Sequence, residues 1–162
     1  MASNTTFVAG NILTAAQMNN LPWGIVTATA GGTSGSGYIR NTTVPVAIPA
    51  AIGDVSGMTI SWTAISSRIY KITLTLSDIN TVLGMTPFLI DITDAANTTK
   101  YQARQSFAAN QTATMTMSYV ETGLSGTILR KVRVQGTTNV GTFNTNAASG
   151  LSVFSIEDIG AA

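Results

Sequence analysis

The sequence contains neither cysteine nor histidine, and only 9% of its 162 residues are charged. These two absences exclude a disulfide framework, a thiol nucleophile, a Ser-His-Asp triad and an imidazole-based zinc site. Eight basic and seven acidic side chains leave a net charge of +1, without the basic excess typical of nucleic-acid-binding proteins. Composition therefore removes much of the catalytic repertoire and argues against a nucleic-acid binder, and we expect no cofactor and no bound metal.

Long hydrophobic runs are also missing. No stretch approaches the roughly 18 apolar residues of a membrane-spanning helix, and the N-terminus lacks the pattern of a signal peptide, so we expect no membrane insertion. Hydrophobic residues still make up 44% of the chain, which predicts one folded domain rather than disorder. Soluble monomers normally keep apart through surface charge, so the low charge predicts that much of the surface is covered in an assembly.

The first 39 residues carry no charged side chain at all. Thr14 can cap a short helix that Pro22 closes, so residues 1–26 are predicted to be an apolar segment with one or two helical turns. Such a segment cannot bury its own apolar residues and needs a partner surface. The residues that it would present are Phe7, Ile12, Leu13, Met18, Leu21, Pro22 and Trp23. The alternative is that the segment folds back over one end of the same domain as a lid.

Residues 27–37 are rich in Gly, Ser and Thr and are predicted to form a flexible linker, with a long loop inside one domain as the alternative. From residue 38 to 162 the hydrophobic period is two, which indicates β-strands. Met58, Ile60 and Trp62 alternate with Thr and Ser, and similar alternation recurs near residues 70–76, 88–93, 112–119, 128–134 and 151–159. About eight short strands separated by polar turns predict an all-β antiparallel sandwich of the jelly-roll type.

The acidic residues do not form an obvious catalytic pair. Asp91 and Asp94 would point to opposite faces of a strand, as would the adjacent Glu157 and Asp158, whereas a glycosidase needs two carboxylates that face each other. Asp94 is predicted to begin a turn, and the other acids are predicted to be solvated or to cap turns. The sequence contains no Asp-x-Asp-x-Asp-Gly calcium loop. We therefore expect a protein that is not an enzyme.

The tightest basic cluster is Arg130, Lys131 and Arg133. It is a candidate surface contact for an anionic glycan or an acidic neighbour, and the alternative is a charged strand that blocks aggregation. Trp62 and Tyr70 are predicted to be core residues. Sugar-binding surfaces use exposed aromatic side chains, and the candidates here, if they are exposed, are Tyr38, Tyr101, Phe107 and Tyr119.

Three parts of the chain resemble small virion proteins of tailed bacteriophages. Residues 7–19 and 21–24 (FVAGNILTAAQMN, LPWG) resemble their N-terminal motif, residues 68–73 (RIYKIT) resemble the central strand of their β-domain, and residues 154–160 (FSIEDIG) resemble their C-terminal strand. Members of this group are minor tail, fibre or head-decoration proteins. Their β-domain is similar to the trimeric jelly rolls of the tumour-necrosis-factor and complement-globular type.

The resemblance implies a homotrimeric structural protein on the exterior of the virion. Residues 1–26 would attach it to the major capsid protein or to a tail or baseplate protein, and the sandwich would project outward. One short anchor joined to one globule favours a capsid decoration protein or head fibre. The alternative is a minor tail or tail-fibre protein that binds carbohydrate on the host surface.

Overall fold

A computed structural model describes residues 24–25, 28–30, 33–34, 38–41, 46–81, 85–136, 141–143 and 152–162. These residues form strands and turns, without a helix. The strands are β1 (Gly24–Ile25), β2 (Ala28–Ala30), β3 (Thr33–Ser34), β4 (Tyr38–Asn41), β5 (Val46–Ala47), β6 (Gly53–Ala64), β7 (Arg68–Thr81), β8 (Met85–Thr93), β9 (Thr99–Phe107), β10 (Gln111–Thr122), β11 (Gly126–Gly136), β12 (Gly141–Phe143) and β13 (Ser152–Ala161). The helix predicted within residues 1–26 lies outside the described residues.

The strands form two antiparallel sheets that pack face to face. Sheet I contains β10, β7, β13 and β4 as neighbours, with the short strands β1, β5 and β12 added, and sheet II has the order β3-β2-β6-β11-β8-β9. Numbered along the chain, the eight principal strands are β4, β6, β7, β8, β9, β10, β11 and β13. When these eight strands are renumbered 1 to 8 in chain order, sheet I has the order 1-8-3-6 and sheet II has the order 2-7-4-5. This is the strand order of a jelly roll. The predicted fold class is confirmed.

The core lies between the sheets and follows the predicted alternation. Every second residue of β7 from Arg68 to Leu76 is buried, including Ile72 and Leu74, whereas every residue of β8 from Phe88 to Thr93 is buried. Trp62 and Tyr70 are core residues as predicted, with their ring centroids 5.7 Å apart. Because successive strand residues point to opposite faces, the Thr and Ser residues between these core positions lie on the outer faces of the sheets.

The boundary between linker and sandwich differs from the prediction. Residues 28–30 and 33–34, expected to belong to a flexible linker, are strands, and β2 pairs with β6 from Ala28 opposite Trp62 to Ala30 opposite Ile60. Gly24 already pairs with Asp158 of β13. Thr is favoured in strands, and β2 covers the edge of β6 that would otherwise be open. The sandwich therefore recruits strands before residue 38.

The two ends of the sandwich differ in what they carry. The turns at 65–67, 94–98 and 123–125 lie at one end, together with the C-terminal Ala162, whose amide donates to the carbonyl oxygen of Ser67 over 2.8 Å. The strand β1 also pairs with β13 at this end. We call it the basal end, because the residues that precede position 24 join the sandwich here.

Candidate interaction surfaces

The seven residues predicted to anchor the chain lie outside the described residues. They are Phe7, Ile12, Leu13, Met18, Leu21, Pro22 and Trp23. The structure fixes only the point at which they join the sandwich, which is Gly24 beside Asp158 at the basal end. Their anchoring role stays a prediction.

Arg130 does not belong to a surface site, which corrects the prediction for this residue. It is 5% exposed and shares the inner face of β11 with Ile128 and Val132. Its guanidinium forms a two-pronged ion pair with Glu121 of β10, with 2.7 Å from Nη2 to Oε2 and 3.1 Å from Nε to Oε1. It also lies over the ring of Trp62, 5.9 Å from the centroid. Buried charges require paired hydrogen-bonding groups, and Glu121 supplies them.

A second buried ion pair joins β7 to β13. The Arg68 guanidinium donates from Nε to Oδ2 of Asp158 over 2.7 Å and from Nη2 to Oδ1 over 2.5 Å, and Asp158 is only 1% exposed. Oδ1 also accepts from the amide of Gly160 over 3.0 Å. Asp158 and Glu121 were expected to be solvated acids, and both instead bind arginine inside the sandwich. Burial costs a carboxylate its hydration, and the two-pronged arginine contact offsets that loss.

Lys131 and Arg133 lie on the outer face of sheet II, as expected for surface residues. Both bind the same carboxylate, with 2.7 Å from Lys131 Nζ to Asp54 Oδ2 and 2.9 Å from Arg133 Nε to Asp54 Oδ1. The hydrogen bond from Lys131, reinforced by Arg133, holds the pKa of Asp54 below its ordinary range. Two of the three basic residues in the predicted cluster are therefore partly neutralised within the chain.

The outer face of sheet II continues with a polar network across β8 and β9. Asp91, which is buried, accepts a hydrogen bond from Nε2 of Gln102 over 2.7 Å, and Oε1 of Gln102 accepts from Nε of Arg104 over 3.1 Å. At the basal end Asp94 begins the β8–β9 turn, as predicted, and its Oδ1 accepts from the amides of Ala96 and Thr98. The hydrogen bond from Lys100, followed by that from the Thr98 amide, lowers the pKa of Asp94 to about 2.

The aromatic candidates for sugar binding do not form one exposed platform. Phe107 is buried, and the side chain of Tyr38 lies outside the described set. Tyr101 and Tyr119 stack on each other across the edge strands β9 and β10, with centroids 5.1 Å apart and planes 3° from parallel. The Tyr119 hydroxyl is buried close to Arg130 and Glu121, without a hydrogen bond of good geometry to either. Burial, and secondarily the charge of Glu121, raises the pKa of Tyr119 far above its usual value of 10.0. Of the candidates whose side chains are described, Tyr101 is therefore the exposed one.

The outer face of sheet I differs sharply from that of sheet II. Alternation places Thr73 and Thr75 of β7, Thr116 and Ser118 of β10 and Ser155 of β13 side by side on this face. Thr75 and Thr116 share a hydrogen bond of 3.1 Å between their hydroxyl oxygens. The described charges of sheet I outside the core are Lys71 and Glu157, which pair with each other over 3.5 Å, and Asp78, which lies in the irregular part of β7 between Leu76 and Ile79. The outer face of sheet II instead carries Asp54, Asp91, Arg104, Lys131 and Arg133.

In the described part of the chain, no three acidic side chains lie close enough together to hold a metal ion. The same residues contain no helix that is long and apolar enough to cross a membrane.

The strand pattern around Arg130 contains a signal that this residue is buried. Arg130 interrupts the apolar alternation of Ile128, Val132 and Val134, so a strand register that buries these three also buries Arg130. Its partner Glu121 lies on another strand of the opposite sheet and is not identifiable from spacing. Arg68 and Asp158 are 90 residues apart in the chain and meet only because β7 pairs with β13.

No protein-family profile matches the chain, and no curated protein matches it. Solved structures show low similarity. An arabinose-bound GH51 α-L-arabinofuranosidase is 12% identical with a TM-score of 0.36, over 90% of this chain and 24% of that one. A structure of infectious bursal disease virus, Gx strain, is 11% identical with a TM-score of 0.35, over 80% of this chain and 38% of the other. A xylan-binding domain from Paenibacillus barcinonensis is 11% identical with a TM-score of 0.33, over 85% of this chain and 96% of that domain. The chain thus spans well under half of the first two proteins.

Proposed function

We propose that this chain is a non-enzymatic structural protein of a tailed-bacteriophage particle. Residues 1–23 attach it to the particle, and three jelly-roll domains assemble around a threefold axis and project outward from the virion surface. A capsid decoration or head-fibre role fits one short anchor joined to one globule. The alternative is a minor tail or tail-fibre protein.

The observation that carries this proposal is the unequal charge of the two outer faces. The outer face of sheet II carries Asp54, Arg104, Lys131 and Arg133 together with the buried Asp91, whereas the described part of sheet I carries hydroxyl groups, the Lys71–Glu157 pair and Asp78 of β7. A face of Thr, Ser and Val is readily desolvated, because its hydroxyl groups exchange hydrogen bonds with a partner at little cost. Sheet I therefore suits contact between copies, and sheet II suits exposure to water.

The internal use of charge supports the same role. Four of the fifteen charged residues form the two buried pairs Arg68–Asp158 and Arg130–Glu121. In each pair one guanidinium donates hydrogen bonds to both carboxylate oxygens. This arrangement fixes the positions of the strands and leaves the carboxylates unsuited to activating water. Both pairs lie toward the basal end, where Arg130–Glu121 joins the two sheets and Arg68–Asp158 joins β7 to β13 within sheet I.

A trimer would also strengthen a weak anchor. Three apolar segments that leave one assembly bind neighbouring sites with high effective concentration, so each segment contributes little by itself. The absence of charged side chains from residues 1–39 fits contact with an apolar surface on another virion protein.

Deletion of residues 2–20 tests the anchor. The deletion leaves β1 and the whole sandwich in place. We expect the shortened chain to fold and to assemble like the full chain, but to be absent from purified particles. A shortened chain that enters particles at the normal level would contradict the proposal. The matched control is the substitution Thr127→Ser, an exposed change on β11 that we expect to leave incorporation intact.

A photo-crosslinking residue at Phe7 or Met18 identifies the partner in assembled particles. Cross-links to the major capsid protein support decoration of the head. Cross-links to a tail or baseplate protein support the alternative location. Cross-links to neither kind of protein would contradict attachment through this segment.

A further inference from the structure

The strand β10 forms an edge of sheet I that lacks the usual protection against pairing with another chain. Among the described strands it pairs only with β7, so the backbone amide and carbonyl groups along its other side have no partner within those strands. Natural edge strands are usually protected by charged side chains or by proline. β10 contains no proline, and its residues 111–120 carry no charge. The free side of β10 is therefore open to another strand.

The regular part of this edge is the stretch from Met115 to Thr122. It pairs with β7 in one continuous register, and the irregularity of β10 lies before it, between Ala113 and Met115. Bulges are one of the devices that prevent a strand from pairing at an edge, and this stretch has none. Eight consecutive residues therefore present a regular strand geometry to a partner.

The edge strand of sheet II on the same side of the sandwich, β9, is different. It carries the positive side chains Lys100 and Arg104, as protected edges do. Its Tyr101 stacks on Tyr119 of β10, so the inner side of the β10 edge is covered by the chain itself. A partner strand can therefore reach β10 in the plane of sheet I, beside the exposed residues of its outer face.

A second copy of β10 fits this edge, because the strand is complementary to itself. When a strand pairs antiparallel with its own copy, residues of one face always lie opposite residues of the same face. Thr116, Ser118 and Val120 would therefore meet one another, and all three are exposed in the single chain. Hydroxyl and β-branched side chains are favourable cross-strand neighbours. Glu121 lies on the inner face, bound to Arg130, so a pairing centred within residues 116–120 brings no like charges together.

We propose that two copies of this chain join through antiparallel pairing of residues 115–122 of β10, so that their two sheets I form one continuous sheet. A second copy is the occupant because one twofold contact satisfies two identical edges at once, and the uncharged stretch offers no repulsion between copies. The pairing uses the edge of sheet I, whereas the threefold contact proposed above uses its outer face. The two contacts are separate, and this inference does not depend on the identity of the particle.

Introduced cysteines test the pairing directly, because the chain contains none of its own. Thr116, Ser118 and Val120 are replaced by Cys singly and in the pairs T116C/S118C and S118C/V120C. A residue on the twofold axis faces its own copy, and an axis at Met117 or Tyr119 brings the two members of one pair together. We expect mild oxidation to link two chains in the variant that matches the axis, since opposed residues lie about 4.5–5.5 Å apart, within disulfide range. Failure of every variant to cross-link would overturn the proposal.

The matched control is Thr127→Cys, an exposed position on β11, which has a neighbouring strand on both sides. We expect no cross-link there, and equal cross-linking of this control would indicate random collision and overturn the proposal. Circular dichroism checks that each variant folds.

Light scattering coupled to gel filtration of the unchanged protein separates this contact from the threefold one. We expect an even number of copies, which is two from the pairing alone and six when the threefold contact forms as well. A mass of two copies would contradict the threefold contact and leave the pairing intact. A mass of one or three copies would overturn the pairing.

Discussion

The guanidinium of Arg130 meets the carboxylate of Glu121 inside the sandwich, with Nη2 2.7 Å from Oε2. The two residues belong to consecutive strands that lie in opposite sheets, so their contact bridges the two layers. Trp62 covers one face of the guanidinium. The pair therefore links β10, which pairs only with β7 among the described strands, to the interior of sheet II.

Removing one member of this pair should be costly. We expect Glu121→Ala to lower the free energy of unfolding by about 3 kcal/mol, because it leaves the buried Arg130 without its carboxylate. The double substitution R130M/E121L should recover most of that loss, since it replaces the pair by apolar groups of similar size. Urea unfolding followed by circular dichroism measures both. Equal losses in the single and double variants would contradict this account.

Glu157 and Asp158 provide a matched comparison within one dipeptide. We expect Asp158→Asn to lower the free energy of unfolding by roughly 3 kcal/mol, because Arg68 loses its buried charged partner. Glu157→Gln should change it by less than about 1 kcal/mol, since the Lys71–Glu157 pair is exposed to solvent. Thermal unfolding of the two variants in parallel gives the comparison. If both substitutions lowered the free energy of unfolding by similar amounts, the difference in burial between Asp158 and Glu157 would not determine their contributions to stability.

Asp94 should contribute a pH-dependent part of the stability. Its folded-state pKa is about 2, below the ordinary value of 3.8, so the folded chain binds this proton less tightly than the unfolded chain does. The contribution is complete above pH 3.8 and is lost as the pH falls toward 2. We expect the stability difference between the unchanged protein and Asp94→Asn, measured by urea unfolding, to shrink over that interval. A difference that is constant from neutral pH to pH 2 would contradict the assignment.

Tyr119 should contribute a pH-dependent part of the stability in the alkaline range, and this part should fall as the pH rises. Its pKa is raised in the folded state, so the folded chain holds the phenolic proton more tightly than the unfolded chain. The resulting stabilisation is present below pH 10.0 and declines above it. Tyr119→Phe removes this decline and also removes a buried hydroxyl without a partner, so we expect a gain of up to about 1 kcal/mol at neutral pH. Urea unfolding at neutral and alkaline pH measures both effects, and a loss above 1 kcal/mol at neutral pH would contradict them.

The two outer faces should respond differently to a new charge. We expect Ser118→Arg on sheet I to shift the assembled protein toward monomer, because three like charges would enter the interface between copies. Thr127→Arg on sheet II should leave the assembly unchanged. Both replaced residues are exposed in the single chain, so neither change disturbs the core. Light scattering coupled to gel filtration measures the mass. An unchanged mass in both variants would contradict the assignment of sheet I as the assembly face.

Much of the fold was predictable because its signal is local. Alternation such as that of Ile72, Leu74 and Leu76 identifies strands, and polar turns between them identify an antiparallel sandwich. Asp94 was predictable as a turn residue for the same reason, since its carboxylate binds amides two and four residues further along the chain. The strands at 28–30 and 33–34 were missed, because their glycine-rich surroundings resemble a linker and only pairing with β6 orders them.

The sequence by itself determined that this protein is an all-β sandwich with few charged residues and without thiol or imidazole chemistry, since composition and a period of two are properties of the chain alone. Only the tertiary structure decided where its few charges lie. Strand pairing brought Arg68 to Asp158 across 90 positions, and packing of the sheets enclosed Arg130 with Glu121. Strand pairing likewise left hydroxyl groups across sheet I and charged groups across sheet II. Contacts between residues distant in sequence depend on strand register and topology, and the local pattern of residues does not specify either of them.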